Sequence, residues 1–91
     1  MSTAPANEVR HDESAQAFVL TVDGEDVLLR YRRPDDSHID YYSTFTPTSL
    51  RGRGLARLVV DAGLQYAEQE QLEVIPSCSY VAKILERLGQ A

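Results

Sequence analysis

The sequence predicts an α+β fold, a mixed sheet in the order β-β-β-α-β-α with three antiparallel strands, a parallel-type crossover and two helices. Three observations predict it. Two alternating apolar runs flank an Asp-Gly pair, the strongest short signal for a hairpin. The apolar period changes from two to 3.6 after Leu55. A short apolar run, "LEVIP", follows that helical segment, so strand, helix and strand succeed one another and imply a parallel pair.

The elements follow in chain order. Residues 1–14 are polar, carry Pro5 and show no periodicity, which predicts a mobile head with order beginning near Gln16. "QAFVLTV" places Phe18, Leu20 and Val22 on one face, and "EDVLLRYRR" does the same with Val27, Leu29 and Tyr31. "RRPDDSH" reads as a loop by composition, and "IDYYSTF" as a third strand that Pro47 ends. Leu55, Leu58, Val59, Ala62, Tyr66 and Ala67 form the stripe of the first helix, with the acidic 68–73 segment at its solvated end. "SYVAKILERLG" supplies a second stripe, Tyr80, Val81, Ile84, Leu85 and Leu88, with Gly89 as the expected C-terminal cap. Residues 15–91 are expected to form one domain.

Composition narrows the function. The chain has 91 residues, a net charge of −5, 43% hydrophobic and 25% charged residues, all ordinary for a globular domain. The acidic balance counts against a general nucleic-acid or anionic-membrane binder. Cys78 is the one cysteine, so neither an internal disulfide nor a four-cysteine zinc site can form, and no metal is expected. A lone thiol and the lack of a signal-like or membrane-length apolar run lead to an expected cytoplasmic location.

"RGRGLAR" gathers three arginines in seven residues of this acidic chain, and it stands where the first helix begins. The N–H groups of a helix's first turn have no partner inside the helix and, with the helix dipole, favour an anion. Gly52 and Gly54 let a ligand approach the backbone closely, and Arg51 and Arg53 bring forked donors suited to phosphate. The plainer alternative is a strand-to-helix turn whose glycines relieve strain and whose arginines are solvated. A P-loop is excluded because no Lys-Ser or Lys-Thr follows the glycines, and the spacing is not that of a dinucleotide fingerprint.

Arg51-Gly52-Arg53-Gly54-Leu55-Ala56 resembles the R/Q-x-x-G-x-G/A signature of the GNAT superfamily of acetyl-CoA-dependent N-acetyltransferases. Across residues 41–88 the chain is similar to the minimal YjdJ-type branch, including its Cys-x-Tyr-Val-like segment, here "CSYV". The resemblance implies a GNAT-like fold in which the backbone around Arg51, Gly52, Arg53, Gly54, Leu55 and Ala56 binds the pyrophosphate of coenzyme A. It implies that Phe45 and Thr46, at the end of "YYSTFTP", run beside the pantetheine arm, and that "LEVIP" splays away to admit the thioester. Acetyl-CoA is thus the implied cofactor and an unidentified amine the acceptor.

The resemblance carries catalytic residues over less well. Where the branch reads like His-Thr-Glu, this chain has Ser43, Thr44 and Phe45, so a glutamate base is absent; Leu85 stands where many relatives have an acid tyrosine. The residues left near the thioester are Cys78, Ser79 and Tyr80. A cysteine just ahead of a helix can hold a stabilised thiolate and accept an acyl group, which makes Cys78 the first candidate; its alternative is a small buried hydrophobe. Tyr80 is the weaker candidate, as donor to the leaving sulfur or as a core residue. His11 and His38 read as solvated, and Arg30, Arg32 and Arg33 as a strand-end cluster. Of Tyr41 and Tyr42, one should face the core and the other the ligand. An acetyltransferase is the leading expectation and a non-catalytic acyl-CoA-binding module the alternative, with some other phosphate ligand a more distant third. So short a chain leaves the acceptor side open, or completed by a partner or a second copy in a homodimer.

Overall fold

The computed structural model describes residues 8–90, with the side chain of residue 90 left aside. Five strands, β1 (Arg10–Asp12), β2 (Ala17–Val22), β3 (Glu25–Asp35), β4 (His38–Phe45) and β5 (Glu73–Ile75), lie side by side in chain order. The first four are antiparallel, and β5 runs parallel to β4 after helix α1 (Leu55–Gln69); helix α2 (Ser79–Gln90) closes the chain. The α+β mixed sheet and parallel crossover read from the sequence are therefore present, with one strand more than expected.

The β2–β3 hairpin turns on Asp23 and Gly24, at φ 54° and 79°. Positive φ at both central residues matches the twist of the flanking strands, which is why Asp-Gly signals this turn. Pairing then sets Phe18 against Leu29 and Leu20 against Val27 on one face. Tyr31 and Tyr41 extend that face, and Val59 and Val60 of α1 with Val81 and Ile84 of α2 join them in one apolar cluster. Gly63 lets α1 come close: a Cβ there would lie 2.6 Å from Leu29 and 3.1 Å from Tyr41, whose hydroxyl donates to the Gly63 carbonyl at 2.5 Å.

Four expectations are corrected. Residues 10–12, placed in the mobile head, form β1, where His11 stacks on Phe18 at 4.3 Å and its Nε2 lies 2.6 Å from the Tyr31 hydroxyl; residues 1–7 of the expected head lie outside the described residues. His11 is thus half-buried and partnered, not solvated. "RRPDDSH" is not a loop but the end of β3, a turn at Asp36 and Ser37, and the start of β4. Side chains hold it: Asp35 Oδ1 accepts from Ser37 N and contacts His38 Nδ1, both at 2.8 Å, while Arg33 Nε donates to the His38 carbonyl. Pro34, with no N–H to give, sits where the β3–β4 register slips. Finally, Gly89 lies inside α2 rather than capping it, and Leu88 is exposed, because none of the described residues buries the last turn.

Candidate active site

Two local irregularities shape the end of β4. Opposite Arg30 and Tyr31 the strand carries an extra residue, since Arg30 pairs with Ser43 and Tyr31 with Tyr41. Tyr42 is the bulge. A regular strand would place Thr44 on the face opposite Tyr41, but the extra residue returns Thr44 to the helix-covered face, opposite Leu29. On the other side of β4, pairing with β5 stops at Asp40 and Ile75. Pro76 follows and cannot donate, so the chain steps outward until Cys78 N donates to the Tyr41 carbonyl at 2.9 Å. Beyond this point Tyr42 to Phe45 have no strand on that side among the described residues. The fork expected from "LEVIP" is therefore built by Pro76.

Cys78 sits at the fork, directly ahead of α2. Its Sγ lies 3.7 Å from Thr44 Oγ1, a contact the bulge makes available. Burial pushes the thiol pKa up, but the N–H of Val81, the Thr44 hydroxyl and the N–H groups of Tyr80 and Thr44 outweigh it and hold the pKa below the ordinary thiol value. Half-buried Cys78 thus packs against the core while its pKa is held below the ordinary thiol value. Thr44, which sequence reasoning noted only as filling the place of a missing motif, is the residue it overlooked here.

The glycine turn forms the neighbouring feature. A 3-10 turn over Thr48–Leu50 leads from β4, and Gly52 and Gly54 follow at φ 83° and 73°. Gly54 is the N-cap of α1 and offers no side chain, and no acidic residue stands in the first helical turn. The first turn of α1, whose leading N–H groups have no partner inside the helix, borders a cavity of about 200 Å3 lined by Thr46, Leu50, Arg51, Gly52, Gly54, Leu55, Ala56 and Tyr80. A Cβ at either glycine would meet no atom within 4 Å, so both face open space.

Six of the eight residues expected to hold the coenzyme line this cavity, and two do not. Phe45 is half exposed beside it on the strand end. Arg53 turns to the tip of the β2–β3 hairpin, with Nη1 3.5 Å from Asp23. Arg51 spends its Nε on the Thr46 carbonyl at 3.1 Å, bracing the turn. Tyr80, set in the apolar stripe by its spacing, is instead 37% exposed and reaches the cavity from the first turn of α2. Of the tyrosine pair, Tyr41 is buried and Tyr42 exposed.

A strand bulge, a fork between parallel strands and a helix mouth with free N–H groups thus lie together, and the sequence model of GCN5-related N-acetyl-transferase matches residues 17–90. The chain belongs to this family. It is also similar to Protein NATD1 of Gallus gallus, 27% identical over 81 residues that cover 87% of this chain and 74% of that one. Protein NATD1 of Homo sapiens is 28% identical over 80 residues (86% and 71%), and that of Xenopus tropicalis 25% over 88 (94% and 81%). The family match starts at β2, so β1 lies ahead of the part this chain shares with the family model.

Proposed function

We propose that this GCN5-related protein is an acetyl-CoA-dependent N-acetyltransferase acting on an amine. The observation that carries the reading is the helix mouth: unpaired N–H groups, two left-handed glycines and no acidic side chain around one cavity. These are the properties a pyrophosphate seat requires. The N–H groups of α1 and the backbone of Gly52 to Ala56 would hold the diphosphate, with the guanidinium of Arg51 beside it. Thr46 and Phe45 would flank the pantetheine arm as it runs towards the fork. When bound, the coenzyme supplies the acetyl group as a thioester.

Cys78 directly precedes α2 and Tyr80 stands in its first turn, so the thiol at the fork and the residue that lines the cavity are neighbours. In the proposed step the Cys78 thiolate forms a bond to the acetyl carbon, and the bond from that carbon to the coenzyme sulfur breaks. The coenzyme leaves as a thiolate, which Tyr80 can stabilise by donating its hydroxyl hydrogen bond. The acceptor nitrogen then bonds to the same carbon, Cys78 departs as the thiolate, and the amine proton passes to solvent. Donors already aimed at Sγ serve this second departure, that of the Cys78 thiolate.

Thermal unfolding with acetyl-CoA, coenzyme A and ATP tests the seat. At 100-fold excess over Kd a ligand adds about 2.7 kcal/mol, which is a rise of about 10–20 °C in a domain of this size. Both coenzyme species should raise the midpoint, and Gly54→Val should abolish the rise, because a β-branched residue is strained at φ 73°. A shift with ATP but with neither coenzyme species would overturn the assignment. Mass spectrometry after incubation with acetyl-CoA should find one acetyl group on Cys78; if Cys78→Ala transfers acetyl groups to amines as fast as the parent, the thiol has no part in the transfer.

A further inference from the structure

Among the described residues, the buried side-chain polar atom without a hydrogen-bond partner is Oδ1 of Asp40. Asp40 occupies the last rung of the β4–β5 pairing, opposite Ile75, where the strands part. Its neighbours Ile39 and Tyr41 are fully buried in the core, so Asp40 points to the sheet face opposite α1. There its other oxygen meets Arg32 Nε, its cross-strand partner, at 3.4 Å, a long contact. The Arg32 guanidinium lies 4.4 Å over the ring of Tyr42, the bulged residue. A carboxylate with a spare buried acceptor beside an exposed aromatic face is the combination that binds an alkylammonium group.

In this protein that combination is covered by one of the chain's own cations. Arg32 is 63% exposed and Asp40 15%, and so long a contact from an exposed guanidinium is readily exchanged. The position suits an acceptor. The cavity at the mouth of α1 is assigned to the coenzyme, so the amine must reach the fork from another direction, and the opposite face is the one Asp40 and Tyr42 share.

We propose that Asp40 and Tyr42 form the seat of a cationic amine acceptor, with Arg32 as the resident cation that the acceptor displaces. The proposal rests on the acetyltransferase reading for the role of the seat, but the seat itself can be measured alone. Asp40 is here a positioning residue that fixes the ammonium group, which releases one proton to solvent to free its lone pair before transfer.

The test is a titration of the isotope-labelled protein with n-butylammonium chloride, followed by amide NMR, with potassium chloride at matched ionic strength as control. Saturable shifts centred on Arg32, Asp40 and Tyr42 are expected. Arg32→Ala should tighten the apparent Kd by about threefold, within the range an exposed pair can contribute, and Asp40→Asn should remove saturation. Shifts absent from these residues in both the parent and Arg32→Ala, or unchanged in Asp40→Asn, would overturn the seat. Thermal shift with acetyl-CoA on the same samples keeps the two ideas apart. Coenzyme binding without ammonium binding removes the acceptor seat alone, whereas ammonium binding without coenzyme binding removes the transferase reading and with it the seat's role as acceptor site.

Discussion

At the scale of single residues, the environment of Cys78 is a balance of opposed effects. Burial disfavours the thiolate, while donors from the first turn of α2 and from Thr44 favour it more. A lowered pKa means that the thiolate, and with it reaction with iodoacetamide, appears at lower pH than for a free thiol. The pH profile of alkylation should therefore inflect below the ordinary thiol value. Thr44→Val removes the hydroxyl but keeps the backbone N–H, so the inflection should move up only part of the way. An inflection that does not move would deny Thr44 its role. The cysteine itself was legible in the sequence, since it stands ahead of an apolar stripe. Thr44 was not, because its approach depends on a bulge that shifts the strand's alternation by one residue. No composition or period in "IDYYSTF" announces that shift.

At the scale of elements, the hairpin at Asp23 and Gly24, the switch to helical period at Leu55 and the parallel return at "LEVIP" were all readable, because each depends on local backbone preference or on spacing. The end of β3 was not. "RRPDDSH" has the composition of a loop, yet the Asp35 carboxylate and the Arg33 guanidinium fold it into a two-residue turn. Nor does the stripe of α1 reveal that a glycine, Gly63, sets how close the helix lies to Leu29 and Tyr41. Propensity argues that Gly63→Ala should stabilise the helix by about 1 kcal/mol. Packing argues the reverse, since the new methyl would stand 2.6 Å from Leu29, a fully buried side chain. Overpacking of this kind costs about 1–3 kcal/mol and should win. Gly63→Ala is expected to lose about 1–2 kcal/mol net in denaturant unfolding. A variant as stable as the parent would mean that α1 can ride away from the sheet.

At the scale of the molecule, a chain of 91 residues buries a modest fraction of its surface, so each peripheral element weighs heavily in the total. The strand β1 is such an element. Three residues are too few to show alternation, which is why the segment reads as part of a mobile head; the interactions that hold it come from elsewhere in the chain. His11 stacks on Phe18 of β2, contacts the Tyr31 hydroxyl of β3 and meets the ring of Tyr66 of α1 edge-on at 4.6 Å. One side chain therefore ties β1 to two further strands and a helix. Aromatic pairs contribute about 0.5–1.5 kcal/mol each beyond burial, so His11→Ala should cost about 1–2 kcal/mol, a fall in Tm of about 5–10 °C. Removing residues 1–14 should cost more, because the β1–β2 pairing goes with it. A free head would behave differently: its removal would leave Tm within about a degree, since chain that packs on nothing contributes little to the folded state. Scanning calorimetry of the parent, His11→Ala and the shortened chain separates the two cases. A single transition displaced downward in both variants is the result expected of a β1 that belongs to the cooperative core.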